Sequence, residues 1–487
     1  MKKYFYIVAS CMVLIVSNAC SEKELDLFPP SSDDIEDINT EDKLQKFLNG
    51  GYLTMASVDA YGTDIMAFGD VLSDHLYVTN AKAYVLTSNM TYNALNNDFN
   101  FYGRMYDAIM SCNMVINNTK VAETPNVKRI KAEAHILRGF AYFTLVNYYS
   151  PTPTSGVNQD YGVPLVLGVY DSSIQPARAT VAEVYNQIIA DLTAGLSDAN
   201  EPTESIANSK VTFTKTAARL LLSRVYLTRR APGDAQLALQ YSSAIVNANN
   251  DAFKPIAKAD YQTYFSGSPE ETSENQPETI WELDVNSSTN VVTNLGVNKA
   301  LPTLYNRLSG DRRALLFTRS FYNTFPSTDV RRGAASTGLL TTTGVPNTDN
   351  PAGVWTNKYP RLTGDGNFMR NIKVLRFAEA QLNMIEAMHL TGQNAEALVR
   401  LNAFAVSRGG STYTGANLLN DILTEKGKEF YGEGQRFLDL KRYNLPLVKN
   451  SNCTVNCDVP AGDKLFVLPI SQSALNYNTN LKQYPGY

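Results

Sequence analysis

Apolar residues recur at every third or fourth position through successive stretches of this chain, a spacing that gives each stretch one apolar helical face. From Val127 to Tyr149 the face is Ile130, Ala134, Leu137, Ala141 and Leu145, and Ser150-Pro151-Thr152-Pro153 ends it. Thr180-Val-Ala-Glu183 is a capping-box pattern. Thr180 accepts from an early backbone N–H while Glu183 reaches back, opening a helix through Val184, Ile188 and Leu192. Lys215 to Arg229 follows, with Ala218, Leu221, Leu222, Val225 and Tyr226 on its apolar side. Pro232-Gly233-Asp234 interrupts it, and Ala235 to Val246 resumes. The same reading predicts a helix from Ile372 to Leu390, a break at Thr391-Gly392-Gln393-Asn394, and a helix from Ala395 to Val406.

A helix–short turn–helix unit cannot bury its own apolar face, so it must stack on its neighbours. The expected fold is mainly α: a tetratricopeptide-like helical repeat scaffold with long loop insertions and minor β structure. Between the helix pairs lie polar, aromatic-rich stretches at 60–104, 151–179, 251–310 and 321–370. Loops that long inside a compact fold usually carry function or stay disordered. They are read here as a second face that holds a binding site. Trp281, in the strand-like alternation Glu278-Thr-Ile-Trp-Glu-Leu283, is assigned to the core.

Composition removes several function classes. Of 487 residues, 44% are hydrophobic and 18% charged, which excludes a disordered or collagen-like chain. The formal charge of −4 offers no basic field for nucleic acid. His75, His135 and His389 are the three histidines, too few and too scattered to suggest a metal centre. Glu386-Ala-Met-His389 has a di-iron spacing, but such sites need a second copy and two further glutamates. No Gly-x-Ser-x-Gly elbow, phosphate loop or His-Glu-x-x-His occurs. No cofactor or metal is expected. Paired carboxylates for glycoside hydrolysis can meet from anywhere in a fold, so a glycan-degrading enzyme stays open as an alternative.

The N-terminus reads as a processing segment. Lys2 and Lys3 precede the apolar run Tyr4 to Val16, which is shorter than the ~20 residues a bilayer-spanning helix needs. Ser17-Asn18-Ala19 then leads into Cys20, which resembles a bacterial lipobox with Ser17 in place of the usual bulky aliphatic residue; the alternative is an ordinary signal peptide cut after Ala19 that leaves a free thiol. The expected organisation is a signal peptide at 1–19, a lipidated tether at 20–38 and one domain at 39–487. Within that domain, repeat-type helix pairs occupy about 127–250 and 372–407, a ligand-loop face about 60–104 and 251–370, and a closing segment 418–487. Several acyl chains on Cys20 give stable anchoring where one would not. Cys112 sits in a helical pattern and is expected as a buried thiol. Cys453 and Cys457 close a short loop, and outside the cytoplasm they either bond or remain thiols.

Five further segments occur in a telling order. They are Lys131-Ala-Glu-Ala-His-Ile-Leu-Arg138-Gly-Phe-Ala-Tyr142 with Tyr161-Gly-Val-Pro164-Leu; Ala217 to Leu227; and Val374-Leu-Arg376-Phe-Ala-Glu379 through Glu386-Ala387. Then come Glu429-Phe-Tyr-Gly-Glu433-Gly-Gln-Arg436-Phe-Leu-Asp439-Leu-Lys441-Arg442 and Leu465-Phe-Val-Leu-Pro469-Ile to Gln483-Tyr-Pro485-Gly-Tyr487. Together they resemble the SusD/RagB family of nutrient-binding outer-membrane lipoproteins of the Bacteroidetes. Glu425-Lys426 stands where the family usually has an acid followed by arginine.

The resemblance implies a cell-surface protein that caps a SusC-type TonB-dependent transporter barrel. It would capture oligosaccharides, or peptides in the RagB branch, without catalysing a reaction. A protein–protein module with a vestigial ligand site is a further alternative. Arg436, Asp439 and Arg442 share one helix face and are expected to pair with Glu379 or Glu433 in a buried ion network, with Arg138 and Arg376 in similar structural roles. A sugar binder needs aromatic platforms beside polar side chains that meet hydroxyls. The stretch Tyr61 to Tyr106 supplies Tyr61, Asp64, Asp74, Tyr77, Asn80, Tyr84, Asn89, Tyr92, Asn93 and Asn96, and family loops after this early helix commonly line the site. Trp355, in a Gly/Pro-rich loop, together with Tyr305 and Tyr322, completes the candidate ligand set; the alternative for each tyrosine is a packed ring with its hydroxyl at the surface.

Overall fold

The computed structural model describes residues 38–79, 83–169, 171, 173–201, 210–248, 252–285, 299–305, 314–342, 353–360, 370–450 and 453–487. The signal segment, Cys20, most of the tether and Asn80 lie outside the described residues.

Long helices carry the architecture. In chain order they are α1 (Glu41–Met55), α2 (Asp64–Val71), α3 (Phe101–Ile116), α4 (Pro125–Tyr149), α5 (Val181–Asp198) and α6 (Lys215–Arg229). They continue with α7 (Asp234–Val246), α8 (Phe377–Leu390), α9 (Asn394–Ser407), α10 (Leu418–Glu429) and α11 (Arg436–Arg442). Neighbours in sequence are mostly neighbours in space: α3 packs on α4, α4 on α5, α6 on α7 and α8 on α9, while α7 also lies along α8. The mainly α, repeat-type scaffold is therefore the observed fold.

Local chemistry explains the helix ends. Thr124 accepts from Val127 N (3.1 Å) ahead of Pro125, so α4 starts with a side-chain cap and a proline at its first turn. The capping box at α5 is complete: Thr180 Oγ1 accepts from Glu183 N (3.2 Å), and Thr180 N donates to Glu183 Oε2 (2.7 Å). Helix α4 is buried almost all round from Ala132 to Tyr149, as a helix at the centre of a scaffold must be. Its last carbonyls find a distant partner: Lys441 Nζ donates to Asn147 O (2.5 Å) and Ser150 O (2.8 Å).

Short antiparallel ribbons tie the loop segments to this scaffold. Strand β1 (Leu76–Val78) pairs with β3 (Leu315–Phe317), and β2 (Thr279–Leu283) with β6 (Ile372–Arg376). Likewise β4 (Leu340–Thr341) pairs with β5 (Trp355–Thr356), and β7 (Leu447–Val448) with β8 (Asp458–Val459). The expected helix from Ile372 is thereby corrected. Its first five residues form β6, all buried, and α8 begins at Phe377. Ladder pairing with β2 outweighs local periodicity there, in a segment whose branched Ile372 and Val374 suit a strand. Trp281 on β2 is fully buried, as the sequence suggests.

One apolar core runs from Ile38 and Leu44 on the N-terminal side to Leu468 and Ile470 near the C-terminus, and a second lies under α8, α9 and α10. Ile38, placed at the end of the tether by sequence, belongs to the core, and its carbonyl accepts from Asn118 Nδ2 (2.8 Å). Helix α2 presses on the turn before α11. A Cβ on Gly69 would lie 1.8 Å from Gly434 O, and Gly434 itself has φ +72°, so both positions need glycine. Cys112 is a buried free thiol, and Cys453 is bonded to Cys457 across a Cα separation of 5.6 Å.

Candidate functional site

The charged motif residues form buried ion clusters between elements, with partners that differ from those expected. Arg376 Nε donates to Glu433 Oε2 (2.8 Å), and its Nη1 meets Glu429 Oε1 (2.9 Å) and Glu278 Oε1 (3.1 Å). Lys358 Nζ bonds the other oxygen of Glu433 (2.7 Å). Arg331 joins Glu425 (2.6 Å) and Asp329 (2.7 Å), and Arg408 reaches Glu429 (3.3 Å). Burial alone would raise the Glu429 carboxyl, but the guanidinium groups of Arg408, Arg376 and Arg331 hold it well below the usual carboxylate range.

Arg436, Asp439 and Arg442 do not bond Glu379 or Glu433. Arg436 clasps Asp74 through two bonds of 2.8 Å, while Arg442 bonds Asp439 (2.7 Å) and Glu386. Glu386 also receives Lys426 Nζ (2.9 Å), so the Glu-x-x-His spacing serves an ion cluster, while His389 Nδ1 bonds Asn394 Oδ1 (2.8 Å). Glu379 instead holds Arg224 through two bonds of 2.5 Å. Arg138 joins α4 to α5 through Asp191 (2.6 and 3.0 Å) and reaches Asn113 on α3 (2.8 Å). Three-residue spacing told which side chains share a face; it could not tell which acids, tens to hundreds of residues away, would meet them.

The loop face is also different from expectation. Most of the aromatic candidates are interior rings, because the ribbons fold these loops back onto the scaffold as a second packed layer. Tyr61 stacks on Phe140 (4.8 Å between centroids), and its hydroxyl bonds that of Thr144 (2.7 Å). Tyr77 on β1, Leu316 on β3 and Trp355 on β5 make a small buried cluster in which Trp355 is only 4% exposed. The Tyr77 hydroxyl sits so close to Gly353 that a Cβ there would be 2.5 Å away. Tyr92 donates to Leu465 O (2.5 Å); Tyr305 donates to Asp70 Oδ2 (3.3 Å) and stacks on Tyr359 (5.5 Å). Tyr322 is buried under Arg332, whose guanidinium lies 4.3 Å from the ring centroid. Of the two readings left open for these side chains, Tyr61, Tyr77, Tyr92, Tyr305, Tyr322 and Trp355 take the packed one.

What this face does present is a polar group around the N-terminus of α2. Asp64 is buried; its Oδ1 accepts from the Tyr84 hydroxyl (2.8 Å), while its Oδ2 has no hydrogen-bond partner among the described residues. Burial lifts the Asp64 carboxyl to about 7 against the lowering pull of Tyr84 and Lys299. Tyr84 is half-buried with φ 52°, a left-handed backbone that turns its ring onto Phe68 (4.9 Å). Lys299 Nζ bonds Asp59 Oδ1 (2.9 Å), and Arg104 stands 3.8 Å from the other oxygen of Asp59. Asn93 and Asn96 are exposed nearby in sequence, and Asn93 Oδ1 accepts from the N–H groups of Leu95 and Asn96. Sequence reading named Asp64 and Tyr84 of this group but not Asp59, Lys299 or Arg104. The Lys299–Asp59 pair spans 240 positions, and no local pattern encodes it.

A family profile described as "Starch-binding associating with outer membrane" matches residues 24–227, and one described as "SusD family" matches residues 317–487. The chain belongs to the SusD family. Among solved structures, a candidate sugar-binding protein of Bacteroides vulgatus ATCC 8482 is 26% identical. It covers 92% of this chain and 99% of its own, at a TM-score of 0.80. A SusD superfamily protein of Bacteroides thetaiotaomicron VPI-5482 is 25% identical, covering 92% and 100%, at 0.78. Surface glycan-binding protein A of Bacteroides uniformis, at 21% identity, covers 91% and 99% with a TM-score of 0.71 and shares the fold. No curated protein matches the chain. SusD-family membership carries an association with the outer membrane, and among the described residues no helix is long and apolar enough to cross a membrane.

Proposed function

We propose that this SusD-family chain is a lipid-anchored, non-catalytic capture protein that binds oligosaccharide at the cell surface and delivers it to a SusC-type TonB-dependent barrel. The observation that carries the reading is the match of its N-terminal half to a starch-binding, outer-membrane-associated family. The lipobox at Cys20 supplies the anchor in this reading, and residues 20–37 the tether. The ligand face in this reading is the polar group of Tyr84, Asp59, Lys299 and Arg104 above the buried Asp64, with Asn80 beside it in sequence. The Asp59 carboxylate accepts from sugar hydroxyls, the ammonium and guanidinium donate to them, and Tyr84 offers a half-open ring.

The test is calorimetric titration of the chain with plant, host and microbial glycans and with mixed peptides, followed by analysis of each mixture for breakdown products. Saturable glycan binding without products is expected. Product release would overturn the non-catalytic assignment, and binding of peptides alone would move the chain to the RagB-type reading. Cys20→Ala is expected to release the protein from membrane fractions, and unchanged retention would remove the lipid anchor.

A further inference from the structure

A second concave site lies away from the Asp64 group, between the C-terminal end of α4 and the closing segment. Its cavity holds about 240 Å³ and is walled by the 151–157 turn, the residues after α11, and residues 461–467 with Tyr484. At ~30 Å³ per water in the liquid, that is room for on the order of eight waters. The lining is of two kinds. Phe466 and Tyr484 are buried aromatic side chains; Phe466 is fixed by stacking on Phe437 (5.5 Å, 8° between planes), and the Tyr484 hydroxyl accepts from Asn158 Nδ2 (3.1 Å). The polar lining is Lys441, Asn444, Asp463 and Thr152.

Lys441 is the unusual member. An ammonium has three N–H donors. Two of them go to the carbonyls of Asn147 and Ser150, and there is no third acceptor among the described residues. No carboxylate pairs with it, so burial pushes its pKa down to about 7. The favourable field at the end of α4 offsets part of that cost. Asn444 is exposed at the rim with φ 50°, and its side-chain amide bonds no described residue, which leaves a donor and an acceptor for a ligand. Asp463 Oδ1 caps the turn at Leu465 N (2.9 Å), and its carboxylate adds acceptor capacity to the lining.

We propose that this cavity is a subsite for one neutral, hydroxylated sugar ring, separate from the face around Asp64. Aromatic side chains in the lining suit the C–H face of a ring, and the donors and acceptors beside them suit hydroxyls. With Asp463 offsetting the Lys441 ammonium, the lining carries no net charge to attract an anionic ring. The inference rests on the glycan-capture reading for its ligand class, and the experiment separates the two.

The full chain is titrated with D-glucose, D-galactose, D-mannose and D-glucuronate, and with the oligosaccharide panel above. Val157→Trp, at a 58%-exposed rim position, is used to fill the mouth, and Asn444→Ala to remove the free amide. A neutral monosaccharide is expected to bind, and each variant to weaken it at least tenfold, while Val399→Ala, exposed on α9, leaves it unchanged. Retained thermal unfolding of Val157→Trp and Asn444→Ala confirms that both fold. Oligosaccharide binding with no monosaccharide bound, or with monosaccharide affinity indifferent to both variants, overturns the subsite and spares the capture reading. A preference for glucuronate overturns the neutral-ring assignment. Absence of any sugar binding overturns both.

Discussion

The α4–α5 contact and the β1–β3–β5 layer bury comparable side chains by opposite means. In the first, long helices present periodic apolar faces, and Arg138 meets Asp191 across neighbouring elements. In the second, strands of two or three residues bring Tyr77, Leu316 and Trp355 together from distant parts of the chain. A long helix declares its buried face locally, because its own backbone repeats the spacing. A short ribbon has almost no period of its own, so burial is set by the partner it finds. An aromatic residue in a Gly/Pro-rich segment is thus no more exposed than one in a helix.

The largest expected effect tests the buried ion lattice that ties the loop segments to α10 and the turn after it. Arg376→Ala leaves Glu278, Glu429 and Glu433 each short of a cation and is expected to cost about 3–5 kcal/mol in urea unfolding. A loss under about 1 kcal/mol would show that the lattice holds nothing.

Acid titration sharpens the same point. Burial would raise Glu386 and Glu429, yet their cationic neighbours hold both below the ordinary value of 4.5. The stability they contribute is complete above that value and drains away as the pH falls below it. Asp64 and Asp70, raised by burial to about 7, act in the opposite sense: the folded state gains as pH falls from 7 towards their ordinary 3.8. Thermal unfolding is therefore expected to be most resistant near pH 5 and to weaken steeply below about pH 4. A melting temperature that keeps rising into acid would contradict the paired state of Glu386 and Glu429.

Trp355→Ala breaks the comparison most directly. As a core ring it is expected to cost about 3 kcal/mol of stability. Full stability combined with lost glycan binding would restore Trp355 as a platform. Tyr84→Phe removes the donor to Asp64 with little change of shape and is expected to weaken glycan binding by about tenfold, equivalent to ~1.4 kcal/mol. Binding identical to wild type would move the ligand face elsewhere. Thr180→Ala, at the smallest scale, removes one half of the α5 capping box for about 1 kcal/mol, read from chemical unfolding.

The sequence by itself determined the helical scaffold, down to the Thr180 cap and the run from Lys215 to Arg229, because helix periodicity and capping are written within a few residues of where they act. It also marked Arg376, Arg436 and Arg442 as structural, since charges on a helix that must pack need partners. It misread Ile372–Arg376 as helix, and it left the loop aromatics open between ligand platforms and packed rings. Only the tertiary structure decided those points, and only it chose Asp74 for Arg436, Glu386 for Arg442 and Asp59 for Lys299. The physical reason is common to all of them. Ladder pairing, ion pairing and burial in these places depend on groups far apart in sequence, and their identity exists only once the chain has closed on itself.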